Sequence, residues 1–197
     1  MKILRIDANL NTADKSYSMG AADEVIKQLQ AKYPDATVET VNVFAANVPS
    51  LAHDLMPAWG KGEQNEATAK QAELLTQFKS ADLFVVAAPM WNLSFPAELH
   101  KYFDNVFIAK ETFGYTETGE LVGMMKGKKA ILVNAMGGIH TGTKNDLVVP
   151  HITQVLSFLG IDVVDSVVIQ GTAIEQLPVA DAVAANNDQI KKAVAAV

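Results

Sequence analysis

The chain has no cysteine, which removes disulfides, thiolate nucleophiles, cysteine-ligated iron–sulfur clusters and Cys-x-x-Cys redox chemistry together. Redox work would therefore need a borrowed cofactor. Long apolar runs are also missing: none approaches a membrane span, and Met1-Lys2-Ile3-Leu4-Arg5-Ile6-Asp7 is too short and too interrupted to be a signal core. Basic clusters are absent as well. Against 16 Lys and Arg stand 22 Asp and Glu, a net charge of -6, so its field draws in neither nucleic acid nor an anionic membrane. The expectation is a soluble cytoplasmic protein with small-molecule partners.

Several signatures of catalysis and nucleotide binding are lacking. There is no GxxxxGK[ST] phosphate loop, no GxGxxG after the first strand, and no GxSxG elbow. Gly137-Gly138-Ile139-His140-Thr141-Gly142 follows the fourth strand rather than the first, so it is not a dinucleotide fingerprint. The four histidines, His53, His100, His140 and His151, have no metal-ligand spacing, and no metal is expected. Glu117 and Glu120 sit in a turn, where solvation is the simpler reading than a carboxylate pair.

What remains is a chain of 197 residues, 49% hydrophobic and 19% charged, enough to bury one core in a single domain spanning 1–197. Strand patterns at Lys2 to Asp7, Thr37 to Val43, Leu83 to Ala88, Lys129 to Ala135 and Asp162 to Gln170 alternate with helical ones. The helical stretches are Ser18 to Lys32, Asn65 to Lys79, Pro96 to Ala109, Leu147 to Leu159 and Pro178 to Val197. This alternation implies an α/β fold with a parallel sheet and helices on both faces. The third and fourth strands are nearly continuous apolar runs, as in a sheet interior, whereas the second and fifth are broken by polar residues. The order 2-1-3-4-5 of a flavodoxin-like, five-stranded sheet follows. Two segments stand outside the alternation: Thr112 to Met125 reads as a hairpin with a Gly turn. Phe44 to Gln64, with Leu51, Leu55, Met56 and Trp59, is either a partner surface or a cap on the local core.

Open α/β sheets bind ligands in the loops at the carboxyl ends of their strands. Three such loops carry chemistry here. Ser16-Tyr17-Ser18 precedes a helix, where hydroxyls and free N–H groups suit an anion, although a serine there also serves as a plain N-cap. Met90-Trp91-Asn92-Leu93 offers an amide and an aromatic for a flat heteroaromatic ligand, or merely packs. Gly137-Gly138 lets backbone N–H groups come close to such a ring, or simply turns the chain. His140 lies in the same loop.

With these segments in hand, the chain resembles the FMN-dependent NADH-azoreductases of the flavodoxin-like quinone reductase superfamily. The likeness rests on Ala88 to Leu93, Met136 to His140, Lys101-Tyr102-Phe103-Asp104, Phe113-Gly114-Tyr115-Thr116 and Phe158-Leu159-Gly160. It implies that Ser16, Tyr17 and Ser18 wrap the FMN phosphate, with Asn9 standing where the family commonly has serine. By the same likeness Met90, Trp91, Asn92 and Leu93 run along the isoalloxazine. Ala135, Met136, Gly137 and Gly138 match a segment that usually begins Ser-Arg, so a hydroxyl and a cation are lost here. The resemblance further implies a homodimer, NADH or NADPH as hydride donor, and azo compounds or quinones as acceptors. His140 would face the pyrimidine edge of the flavin, and Tyr115, Phe158 and Trp59 would line an apolar slot above it. The competing functions are a flavodoxin-type one-electron carrier and a flavin-free interaction module.

Overall fold

The computed structural model describes residues 1–197. In chain order the elements are β1 (Lys2–Asp7), α1 (Tyr17–Lys32), β2 (Thr37–Asn42), α2 (Met56–Lys61), α3 (Glu66–Ser80), β3 (Leu83–Pro89), α4 (Ala97–Val106), β4 (Phe113–Tyr115), β5 (Leu121–Gly123), β6 (Lys129–Ala135), α5 (Val148–Phe158), β7 (Asp162–Ile169), α6 (Thr172–Glu175), α7 (Val179–Ala185) and α8 (Asn187–Ala195). The main sheet is parallel in the order β2-β1-β3-β6-β7, the flavodoxin order. Every residue of β3 is buried, while β2 and β7 are mostly half-buried or exposed, as their interrupted apolar patterns require at sheet edges.

Side chains alternate across the sheet and divide the core in two. Ile3, Val85, Ile131 and Val133 pack under α1, α7 and α8, whereas Leu4, Ile6, Phe84, Val86 and Leu132 pack under α3, α4 and α5. The α1 side also holds a charged cluster. Arg5 Nε donates to Asp7 Oδ1 at 2.7 Å, and the guanidinium reaches Asp23 and the Met19 carbonyl of α1. Burial pushes the Asp7 carboxyl up from its ordinary value, against the downward pull of Arg5.

Some boundaries differ from the sequence pattern, each for a local reason. The first helix starts at Tyr17 with Ser16 as its N-cap, two residues earlier than a Ser18 cap would give. α4 stops at Val106 because the buried Thr112 hydroxyl donates to the Val106 carbonyl at 2.6 Å and accepts from Ile108 N at 3.1 Å. The single helix expected over Pro178 to Val197 is two helices. Asn186 Nδ2 donates to the Ala182 carbonyl at 2.8 Å, and such side-chain competition for a helix carbonyl breaks the run.

The segment from Phe44 to Gln64 both caps the core and faces outward. It contains a wide turn at Leu51–Leu55 followed by α2; Val48, Leu55 and Ala58 are buried, while Met56 and Trp59 are exposed. The hairpin is present as β4 and β5, and Gly119 at φ 82° makes its turn. Gly123 has no room for a side chain: a Cβ would lie 2.3 Å from the Leu159 carbonyl carbon. The hairpin is thereby docked on the end of α5, at the amino edge of the sheet.

Candidate functional site

At the opposite, carboxyl edge, the loops after β1, β3, β6 and β7 converge on a cleft of about 250 Å³. It is lined by Asn9, Lys15, Ser16, Tyr17, Ser18, Pro89, Met90, Trp91, Ala135, Met136, Gly137 and Thr172. A larger groove of about 740 Å³ runs between α1 and α7, but its acids are engaged within the chain: Asp14 with Thr12, Asp23 with Arg5, and Glu24 with Lys27 and Gln28. The smaller cleft is the one where polar groups from separate strand ends meet, which is the mark of a ligand site in this architecture.

The β1 loop is organised around hydroxyls. Ser16 Oγ accepts from Met19 N at 3.4 Å as the α1 cap, and Asn9 Nδ2 donates to the same Oγ at 2.9 Å. Ser18 Oγ lies 3.3 Å from Ser16 Oγ. The N–H groups of Tyr17 and Ser18 have no acceptor within the chain, so an α-helix N-terminus points two free donors and its dipole into hydroxyl-rich surroundings. Tyr17 contributes backbone only, since its hydroxyl donates to the Leu177 carbonyl at 2.6 Å.

The β3 loop is held tightly. Met90 N donates to the Ala135 carbonyl at 2.7 Å, and Trp91 and Ser94 exchange backbone bonds of 2.8 and 3.0 Å across a two-residue turn. Both residues of that turn have positive φ, 52° at Asn92 and 65° at Leu93. Asparagine tolerates this region; leucine does so at a cost of about 1 kcal/mol or more. The strained turn leaves Trp91 half out of the core, 6.0 Å from the Phe44 ring.

In the β6 loop the carbonyls are tied down and the donors are not. Met136 O accepts from Thr172 N and Oγ1, Gly137 O from Ala173 N at 3.1 Å, and Gly138 O from Gly171 N at 2.9 Å. The Gly137 and Gly138 N–H groups have no acceptor in the chain. Neither glycine has positive φ, so neither is there to turn the chain. Space is the reason: a Cβ on Gly137 would meet Ala173 Cβ at 3.2 Å, and one on Gly138 would meet His140 Nε2 at 2.4 Å. The His140 ring is thus seated on Gly138. Below this loop, the buried Asn134 donates to the Ala88 carbonyl at 2.8 Å and leaves its Oδ1 without a partner.

Nine of the residues singled out from sequence therefore line one cleft: Asn9, Ser16, Tyr17, Ser18, Met90, Trp91, Ala135, Met136 and Gly137. Asn92, Leu93, Gly138 and His140 flank it. Tyr115 and Phe158 do not reach it within one chain; Tyr115 is exposed on β4, and both belong to an aromatic group with Phe107 and Phe113 at the amino edge. Trp59 is exposed on α2 and does not line the cleft. Sequence reading missed Lys15 and Thr172. Lys15 had a signal, as the residue before a helix cap in the first strand–helix loop; Thr172 opens the one-turn α6 just after β7 and had none.

A family model described as flavodoxin-like fold matches residues 1–194. The chain belongs to the flavodoxin-like family. Among its relatives, it is 34% identical over 178 residues to an FMN-dependent NADH:quinone oxidoreductase of an Exiguobacterium species, covering 86% of this chain and 84% of that protein. An FMN-dependent NADH:quinone oxidoreductase of Pseudomonas putida is 35% identical over 176 residues, covering 86% and 87%. Among solved structures, an FMN-dependent NADH-azoreductase from Bacillus anthracis in complex with FMN superposes with a TM-score of 0.87 at 30% identity, covering 99% of this chain and 98% of that one. Within the flavodoxin-like family, a cleft with one donor set at a helix N-terminus and a second on a glycine loop can hold a planar ring that carries an anionic tail.

Proposed function

We propose that the chain is an FMN-dependent NAD(P)H oxidoreductase acting on quinones and azo compounds. The observation that carries this reading is the meeting, at one cleft, of the free donors at the start of α1 with the free N–H of Gly137, which lines it, and that of the next residue, Gly138. The first set fits a phosphate: two N–H groups, two hydroxyls and the positive end of a helix dipole. The second set, with Trp91 and Met136, fits the edge and face of a flat ring. Held there, FMN would supply the two-electron hydride chemistry between a nicotinamide donor and the acceptor.

The chain's own part is to bind, orient and tune. Ser16 and Ser18 hold the phosphate, Met90 and Trp91 flank the ring, and the Gly137 and Gly138 N–H groups donate toward its polar edge. His140, whose ring lies over Gly138, would supply a further donor where charge develops on reduction. His140→Ala should lower the two-electron potential by about 30 mV, the equivalent of about 1.4 kcal/mol, with FMN still bound. A spectroelectrochemical titration reads this directly; an unchanged potential removes His140 from the tuning role.

The functional unit is a homodimer in this reading. Leu10, Trp91, Leu93 and Ile139 are exposed apolar residues around the cleft mouth, and Tyr115 and Phe158 lie at the far edge of the sheet, so only a partner subunit can bring them to the flavin. Trp59→Glu is the better interface probe than any change at Leu55, which is fully buried and whose charging would unfold the chain. Light scattering should give a dimer for wild type and a shift to monomer for Trp59→Glu. A wild-type monomer with full activity would exclude the shared site. A nicotinamide donor supports a cytoplasmic location.

The test of the activity itself is anaerobic mixing. FMN-loaded protein should be bleached by NADH or NADPH and recover its flavin absorbance on addition of a quinone or azo dye. Absence of reduction by either nicotinamide would leave a carrier rather than an enzyme.

A further inference from the structure

Lys15 is the one cation among the residues lining the cleft, and no carboxylate lines it. It stands beside Ser16, Tyr17 and Ser18, at the end of a single 3₁₀ turn, Ala13–Lys15, that is closed by Lys15 N donating to the Thr12 carbonyl at 3.0 Å. The turn divides two neighbouring charges. Asp14 lines the groove between α1 and α7, where the Thr12 hydroxyl donates to it and holds its carboxyl below the ordinary value. Lys15 instead faces the cleft, and its ammonium forms neither an ion pair nor a hydrogen bond within the chain.

A free ammonium beside unpaired N–H groups and hydroxyls matters more in this chain than in a basic one. With a net charge of -6, the protein's overall field disfavours an incoming dianion, and the cleft has to reverse that locally. The hydroxyls and N–H groups are neutral and can bond to phosphate or water with modest preference. A cation without an internal partner gains an interaction only when the ligand is an anion.

We infer that Lys15 selects a phosphorylated flavin over the unphosphorylated one at this cleft. The inference rests on the flavin reading above and adds a residue that discriminates between two flavins with the same ring. Fluorescence titration of the apoprotein with FMN and with riboflavin, in wild type, Lys15→Met and Lys15→Arg, tests it. Lys15→Met should lose about tenfold or more in FMN affinity, the scale of one charged hydrogen bond, while riboflavin affinity stays within about twofold. Its FMN affinity should also fall less steeply with salt, and Lys15→Arg should keep most of the wild-type preference. Equal FMN affinity in wild type and Lys15→Met overturns the inference, as does an equal loss for both flavins. A wild type that binds neither flavin would sink the flavin reading itself, a different result from either of these.

Discussion

Apoprotein with both Ser16 and Ser18 replaced by alanine should bind FMN at least about tenfold more weakly than wild type, because hydrogen bonds to a charged group contribute roughly 1.5 to 3 kcal/mol each. The structure sharpens how this must be measured. Ser16 is also the α1 cap and the acceptor for Asn9 Nδ2, so its loss costs about 1 kcal/mol of stability apart from any ligand. Ser18 does no capping; its Oγ touches only Ser16 Oγ. Thermal unfolding of the apoproteins gives the structural cost, and isothermal titration with FMN gives the binding cost. If the affinities match once both variants are shown to be folded, the phosphate does not sit at the start of α1.

The second large effect concerns stability. Arg5→Met should destabilise the fold by about 3 to 5 kcal/mol near neutral pH, because it strands the buried Asp7 carboxylate that Arg5 Nε now contacts at 2.7 Å. The loss should depend on pH with a definite sign. Burial already raises the Asp7 carboxyl above its ordinary value of 3.8, and without Arg5 nothing nearby pulls it down. In the window above that value the folded variant then binds more protons than the unfolded chain, so stability falls as pH rises through the folded pKa and returns on acidification. Urea midpoints at neutral and mildly acidic pH measure this. A deficit independent of pH would mean that Asp7 is not the stranded group. Asp7→Asn in the Arg5→Met background should recover much of the loss.

Asp7 also marks a limit of sequence reading. In the sequence, Arg5 and Asp7 only interrupt an apolar run. Which face of β1 they occupy follows from period 2, but their burial depends on α1 folding over them and bringing Asp23, eighteen residues beyond Arg5, to the guanidinium. The same limit explains Lys15 and Thr172. Thr172 is unremarkable among its sequence neighbours and Lys15 is marked only by its place before a helix cap; each becomes a cleft residue only because the chain after β1 and β7 ends beside the loops after β3 and β6.

The sequence by itself determined the class of fold, the strand order and most of the residues that line one cleft. Strand burial is written in composition, since interior strands must be apolar on both faces while edge strands need not be, and ligand loops fall at strand ends by topology. Tertiary structure alone decided the rest. Helix ends moved where distant side chains took over carbonyls, as Thr112 does at Val106. Gly138 became a seat for His140 rather than a turn, and Tyr115 and Phe158 went to the edge of the sheet opposite their expected ligand. These are outcomes of contacts between residues far apart in the chain, which local propensity does not encode and which only the packed sheet and its helices bring about.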